Sequence, residues 1–163
     1  MRPGLIIRSS SIHAAGCYTT RPIPKGARVC EYDGPRMTKE IADERYTDRF
    51  VTYLFGYGNG EMVIDGFGTA MFINHSCDPN CETEDDNDHI YVTAIRDIAA
   101  GEELTYEYNL YDSDDEEGDC HCGAPQCRGT MFSDLELARR AKAAKKAAQK
   151  EARRKTPNRS VAV

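Results

Sequence analysis

No stretch of this 163-residue chain approaches the ~18 consecutive apolar residues of a membrane span. Its longest early apolar cluster, Leu5-Ile6-Ile7, is also too short for the hydrophobic region of a secretory signal. The Ala14-Ala15-Gly16-Cys17 stretch superficially resembles a lipoprotein cleavage box. However, the residues before it, RSSSIH, are polar, which removes that reading. With 40% hydrophobic residues the chain has the length and composition of one soluble globular domain of roughly 100–200 residues, and an intracellular setting is expected.

Positive charge is scarce overall, with a formal net charge of −6, but the deficit is unevenly spread. From Ser133 to the end there are ten Lys and Arg against three Asp and Glu, or +7. Residues 1–132 hold the remaining 11 basic and 24 acidic residues, or −13. An acidic body favours encounter with cationic partners, while a basic tail favours nucleic acid or other anionic surfaces. Solubility alone would account for either segment, so charge does not name a function.

An even set of cysteines for a disulfide framework is also missing: there are seven. Cys17 and Cys30 are isolated, Cys77 and Cys81 bracket an Asp-Pro turn, and Cys120, Cys122 and Cys127 form CHCGAPQC. Three thiols within eight residues, on a loop with Gly123 and Pro125, suit a tetrahedral metal ion. A closed zinc site needs four ligands, and Cys77, Cys81 and His121 are the candidates for the fourth.

Helical patterning is sparse in the body, where MTKEIADERY (37–46) is the one helix expected. LIIRSS, ARVCEY, TYLFGY, MVID and HIYVTAI are rich in β-branched and aromatic residues between turn signals, which predicts strands. Arg21, Ile23, Gly26 and Val29 recur with the spacing of Arg96, Ile98, Gly101 and Leu104, 75 residues on. Each copy reads as strand, tight turn, strand, with glycine at the turn. Two copies make no solenoid; they predict two related β units with an insert between them. Residues 112–119, DSDDEEGD, read as an acidic linker. Residues 135–155 are rich in Ala, Lys and Arg without Gly or Pro, predicting a marginal, solvated or partner-stabilised helix that frays by residues 156–163.

FINHSCDPNC (72–81), GEELTYEYN (101–109) and CHCGAPQCRG (120–129), in this order and spacing, resemble the signature of SET-domain protein lysine methyltransferases with a zinc-binding post-SET segment. The resemblance covers roughly Gly4 to Thr130. It implies a mainly β fold of several small sheets with short helices, a threaded, knot-like C-terminal segment, and here a basic C-terminal helix. The implied division is a SET domain over 1–111, the acidic linker over 112–119, a post-SET zinc segment over 120–132 and a basic tail over 133–163.

By the same resemblance, Asn74 and His75 would contact S-adenosylmethionine, together with Gly16, Cys17 and Tyr18 of the early cofactor motif. Cys77 would join Cys120, Cys122 and Cys127 on one structural zinc ion, and Asp78-Pro79-Asn80 would turn the threaded loop. Tyr108 would be the catalytic tyrosine and also touch the cofactor, with Tyr106 and Tyr32 lining the lysine channel beside it and Tyr53 a further candidate. Taken alone, LTYEYN would read as a strand packing aromatic rings into a core, and Asn-His and Asp-Pro-Asn as turn chemistry.

The implied reaction is attack of a neutral lysine nitrogen on a sulfonium methyl. A lysine with an ordinary pKa of about 10.4 loses its proton more readily in an apolar channel beside a positive sulfonium. The resemblance implies a histone or histone-like, lysine-rich substrate in chromatin, with mainly monomethylation because Tyr rather than Phe stands at position 106. A basic tail tethered to such a body raises self-methylation at Lys142 or Lys145. Readings from other classes are a catalytically weak zinc-stapled module for basic peptides and a nucleic-acid binder acting through its tail. The chain departs from the family pattern at Ala14-Ala15-Gly16, which keeps one of two usual glycines. It departs again at Phe67-Gly68-Thr69-Ala70-Met71, and in a short insert between Tyr53 and Asp65.

Overall fold

The computed structural model describes residues 4–49, 51–58, 60–111 and 118–155. The expected linker lies outside these residues except for Gly118 and Asp119, as does the fraying expected over 156–163. Among the described residues no helix is long and apolar enough to cross a membrane.

In chain order the elements are β1 (Leu5–Ser9), β2 (Ala15–Thr19), β3 (Arg28–Glu31), β4 (Arg36–Thr38), α1 (Lys39–Tyr46), β5 (Leu54–Tyr57) and β6 (Met62–Asp65). A 3-10 turn (Ala70–Phe72) follows, then β7 (Asn74–His75), β8 (Cys81–Asp86), β9 (His89–Ala94), β10 (Thr105–Tyr106) and α2 (Asp134–Lys155). They form four small sheets with orders β1-β2, β4-β6-β5, β3-β9-β8 and β10-β7, of which only the last is parallel.

Each of the five expected strand segments contains an observed strand. The helix expected from Met37 begins instead at Lys39. Thr38 caps it, its hydroxyl accepting from Ile41 N at 3.4 Å, while Met37 and Thr38 pair with Val63 and Met62. A capping side chain holds its own backbone extended, so the helix starts one residue after it. β8, CETEDD, carries no β signal because Asp and Glu are depleted in strands. It is an edge strand, where exposed charges cost little and discourage pairing with another chain.

The internal echo is a pairing of the two copies with each other. Ile23 N donates to Ile98 O at 2.9 Å and Ile98 N returns a bond to Ile23 O at 2.8 Å. Gly26 N donates to Ala94 O and Gly101 N to Thr19 O, both at 2.7 Å. Exchanging the copies maps each bond onto its counterpart 75 residues away. Both glycines have positive φ, +80° and +89°, where a Cβ would be strained. Ile23, Val29, Ile98 and Leu104 all enter one core with Ile64, Ile73 and Val92, and β4, α1, β5 and β6 lie in the chain between the copies, ahead of β7, β8 and β9.

Cys17 and Cys81 belong to this core, and burial pushes both thiols from an ordinary 9.0 up to about 12. A raised folded-state pKa favours the neutral form, so this contribution is complete below pH 9 and lost as pH rises toward 12. The urea midpoint is therefore expected to fall between about pH 8 and about pH 10.5, and to fall less in a Cys17→Ala, Cys81→Ala protein.

Asn80 ties the C-terminal strand to the loop that follows β7. Its Nδ2 donates to Glu103 O at 2.7 Å and its Oδ1 accepts from Thr105 N at 2.9 Å. Ser76 N donates to Tyr106 O and Tyr108 N to His75 Nδ1. This lacing is the threaded segment, and it brings the two distant motifs FINHSCDPNC and GEELTYEYN together.

Candidate active site and metal centre

Leu104 and Tyr106 are buried and Tyr108 half-buried, so LTYEY does pack rings inward. The rings form one continuous cluster: Tyr106 lies 4.9 Å from Tyr108 and 6.3 Å from Phe55, which lies 5.0 Å from Tyr32. Tyr108 Oη donates to the Ile73 carbonyl at 2.9 Å, and Tyr32 Oη to the Tyr53 carbonyl at 2.9 Å. Burial raises the pKa of all three phenols, that of Tyr108 up to about 12. They are therefore neutral near pH 7 and cannot act as phenolate bases. With its proton committed to Ile73, Tyr108 has only oxygen lone pairs to offer.

A second polar cluster surrounds Asn74, which is buried. Its Nδ2 donates to Ala15 O at 3.0 Å and to Glu103 Oε1 at 2.8 Å. Both amide hydrogens are used, so Oδ1 is the end left to meet a ligand. The Glu103 carboxylate also accepts from Ser10 Oγ and Tyr18 Oη, each at 2.7 Å. A Cβ on Gly16 would lie 2.2 Å from Glu103 Oε1, so only glycine permits this approach. Strand alternation places Gly16 and Tyr18 on the Glu103 face of β2 and the Cys17 side chain in the core. Contact with Cys17 is thus available only through its backbone. Ala14, at one of the departures from the family pattern, has φ +31°; a Cβ in left-handed backbone costs about 1 kcal/mol.

His75 is buried, and burial, reinforced by the Arg128 charge, lowers its pKa to about 4. Because Nδ1 accepts from Tyr108 N, the proton of this neutral ring sits on Nε2, 3.4 Å from Cys77 Sγ. His75 thereby links the tyrosine strand to the cysteine cluster.

The sulfurs of Cys77, Cys120, Cys122 and Cys127 lie within 4.8 Å of one another. Tetrahedral zinc with Zn–S of about 2.3 Å requires S···S separations of about 3.8 Å. Cys120 Sγ lies 3.7 Å from Cys77 Sγ and 3.6 Å from Cys127 Sγ, so the donor set and its spacing fit that ion. Cys81 is outside the cluster, buried in the core, and His121 is exposed. Backbone N–H groups of Cys77, Arg128 and Gly129 point at Cys122, Cys77 and Cys127 sulfurs, each at 3.4 Å. At Cys122, burial opposes ionisation, but hydrogen bonds from Cys77 and Ala124 and the neighbouring thiols outweigh it and lower the pKa to about 6.

Three residues of this region carry no sequence signal of their own. Glu103 holds Asn74, Ser10 and Tyr18 at once, yet sits in an ordinary acidic pair. Arg128 joins Glu107 at 2.6 Å, Asp134 at 3.2 Å and the Phe132 carbonyl at 3.3 Å, binding the cysteine loop to the tyrosine strand and to α2. Tyr111 packs over β5, where a Cβ on Gly56 would collide with its hydroxyl. Gly118 and Asp119 join the cysteine segment, Gly118 O accepting from Met131 N and Asp119 bridging to Thr130.

A threaded β10, an Asn-His pair beside it, a buried tyrosine cluster and a four-cysteine loop define the class architecturally. The SET domain family model matches residues 14–109. The chain belongs to the SET-domain family. It is 40% identical over 143 residues to histone-lysine N-methyltransferase ATX2 of Arabidopsis thaliana, a match covering 80% of this chain and 13% of that protein. It is 39% identical over 144 residues to the H3 lysine-4 specific histone-lysine N-methyltransferase of Saccharomyces cerevisiae, covering 80% and 13%. To human histone-lysine N-methyltransferase 2D it is 39% identical over 134 residues, covering 75% and 2%. The chain thus spans a small part of these curated relatives. A crystal structure of KRYPTONITE in complex with mCHH DNA, an H3(1-15) peptide and SAH superimposes with a TM-score of 0.65 at 26% identity, covering 81% of this chain and 30% of that one.

Proposed function

We propose that this chain is an S-adenosylmethionine-dependent protein lysine N-methyltransferase acting on histone or histone-like lysines in chromatin, and mainly a monomethylating one. The observation that carries the reading is Tyr108, a neutral phenol whose proton is committed to Ile73 O. It stands beside the Tyr106 ring and is backbone-bonded to His75, next to Asn74. Bound S-adenosylmethionine supplies a methyl group on a sulfonium, activated for in-line transfer to an amine. Asn74 Oδ1, the Gly16 backbone and Tyr18 are the groups that would hold it, with Glu103 fixing the Asn74 amide. An acceptor such as the Tyr108 oxygen suits both an amine N–H and a polarised methyl C–H. Removal from water beside Tyr32, Tyr106 and Tyr108 and the positive charge of a bound sulfonium both disfavour the ammonium, against the cation–π attraction of the rings. Alignment of the amine then supplies much of the rate. Zinc on Cys77, Cys120, Cys122 and Cys127 would be structural, and the acidic body would draw in basic substrates.

We adopt the division of SET domain over 1–111, linker over 112–119, post-SET segment over 120–132 and basic tail over 133–163. The test is incubation with methyl-labelled cofactor and a panel of basic proteins, mapping modified lysines, Lys142 and Lys145 of the tail included, by mass spectrometry. Label on substrate lysines is the expected result; cofactor binding without transfer to any lysine would leave a binding module instead.

Tyr106 accounts for the product state. Among the described residues its hydroxyl has no protein partner, so it can hold a water beside the lysine nitrogen. Displacing a bound water by a methyl that cannot replace its hydrogen bonds is unfavourable. Tyr106→Phe is expected to raise the di- and trimethyl fractions several-fold while retaining the first transfer, read by mass spectrometry of one peptide over time. Abundant trimethyl-lysine from the unchanged protein would contradict this role.

A further inference from the structure

The helix α2 leaves the cysteine segment in a fixed direction. Ser133 Oγ accepts from Glu136 N at 3.2 Å. Glu136 is buried at 3% exposure, bonded at 2.7 Å by Arg139 and Arg140, and the Arg140 guanidinium lies 4.0 Å over the Phe132 ring. Beyond this anchor residues 141–153 are all exposed. At 22 residues it is about 33 Å long.

Four of its basic residues line one side, Lys145 flanks them, and Glu151 lies on the far side. Lys142, Lys146, Lys150 and Arg153 follow at intervals of four, four and three residues and share a face. Ala141, Ala144 and Ala148 occupy the other side. We infer that the exposed length of α2 is an arm that binds the phosphate backbone of duplex DNA, an inference independent of the methyl-transfer reading. Charge complementarity requires an anionic partner, and the helix's own composition selects among them. An alanine face without bulky apolar residues gives too little buried area for a membrane surface. The helix has no aromatic residue on which single-stranded bases would stack. The major groove of B-form DNA admits a helix, whereas that of A-form RNA is too narrow. A face made mainly of lysines, flexible point charges without a planar fork, suits phosphates rather than base edges. Binding is therefore sequence-blind.

The experiment uses the full chain and fluorescent duplexes of about 30 base pairs in two unrelated sequences, titrated by anisotropy at several salt concentrations. With four phosphates engaged, the slope of log K against log salt is expected near about −3.6, alike for both sequences. Lys146→Gln with Lys150→Gln should weaken binding at least about tenfold and flatten the slope by about 1.8. Gln retains helix propensity, so circular dichroism should not change. Lys25→Gln with Arg45→Gln, the same charge change on the body, should leave affinity and slope as they were. No binding at low salt would overturn the inference. So would equal sensitivity to the body pair, or equally tight binding of single-stranded DNA, duplex RNA, phosphatidylserine vesicles or polyglutamate.

Discussion

Tyr108→Phe is expected to lower methyl transfer by about 10²- to 10³-fold, the range seen when one preorganised polar contact to a reacting centre is removed. The substitution deletes a single oxygen. The ring remains packed 4.9 Å from Tyr106 and 5.4 Å from His75, so the aromatic cluster is preserved. Ile73 O loses its donor, which costs about 1 kcal/mol of stability and leaves the fold intact. Cofactor affinity, read by calorimetry, should change only a few-fold, because the Asn74 and Glu103 network is untouched. Single-turnover rates with one histone peptide are the decisive measurement. Near-normal transfer in a folded Phe variant would remove Tyr108 from the reaction.

Cys77→Ser should reduce bound zinc from one ion per chain to almost none, and activity with it. Serine oxygen is a poor substitute for a thiolate, and structural zinc contributes on the order of 10 kcal/mol to the fold it closes. As a ligand, Cys77 would join the loop after β7 to the cysteine segment, since Cys120, Cys122 and Cys127 are close in sequence. Its loss should free residues 118–132 from the Tyr108 strand, seen as protease cleavage in that segment. Cys81→Ser is the contrasting variant. It places a hydroxyl in the core at a cost of about 1–3 kcal/mol, so its unfolding midpoint should drop while zinc, measured by mass spectrometry of the metal, stays at one. Full zinc in Cys77→Ser, or zinc lost from folded Cys81→Ser, would reverse the ligand choice.

Both expectations begin in the sequence but rest on geometry that the sequence left open. Local spacing carries CHCGAPQC as a metal loop, because three thiols on eight residues converge without help from the rest of the chain. It does not choose among Cys77, Cys81 and His121; the family resemblance points to Cys77. The fold gives the physical ground, bringing the Cys77 sulfur to the other three, while on β8 Cys81 pairs with Ala94 and turns its side chain into the core. β8 itself was not legible, since an acidic edge strand looks like loop until its partner is known.

The sequence by itself determined the family, the strand-rich character, the glycine turns at Gly26 and Gly101, and the chemical types at the site, because these depend on residue identity at short spacing. The register echo of 75 residues was visible as well, but only the structure showed that its two copies bond to each other. Tertiary structure alone decided which end of Asn74 is free, that Glu103 is what fixes it, and that Ala14 occupies left-handed backbone. It also decided that Arg128 fastens the cysteine loop to α2. The physical reason is the same in each case: a hydrogen bond or ion pair between residues tens of positions apart depends on where the folded chain returns to itself, and no local pattern encodes that distance.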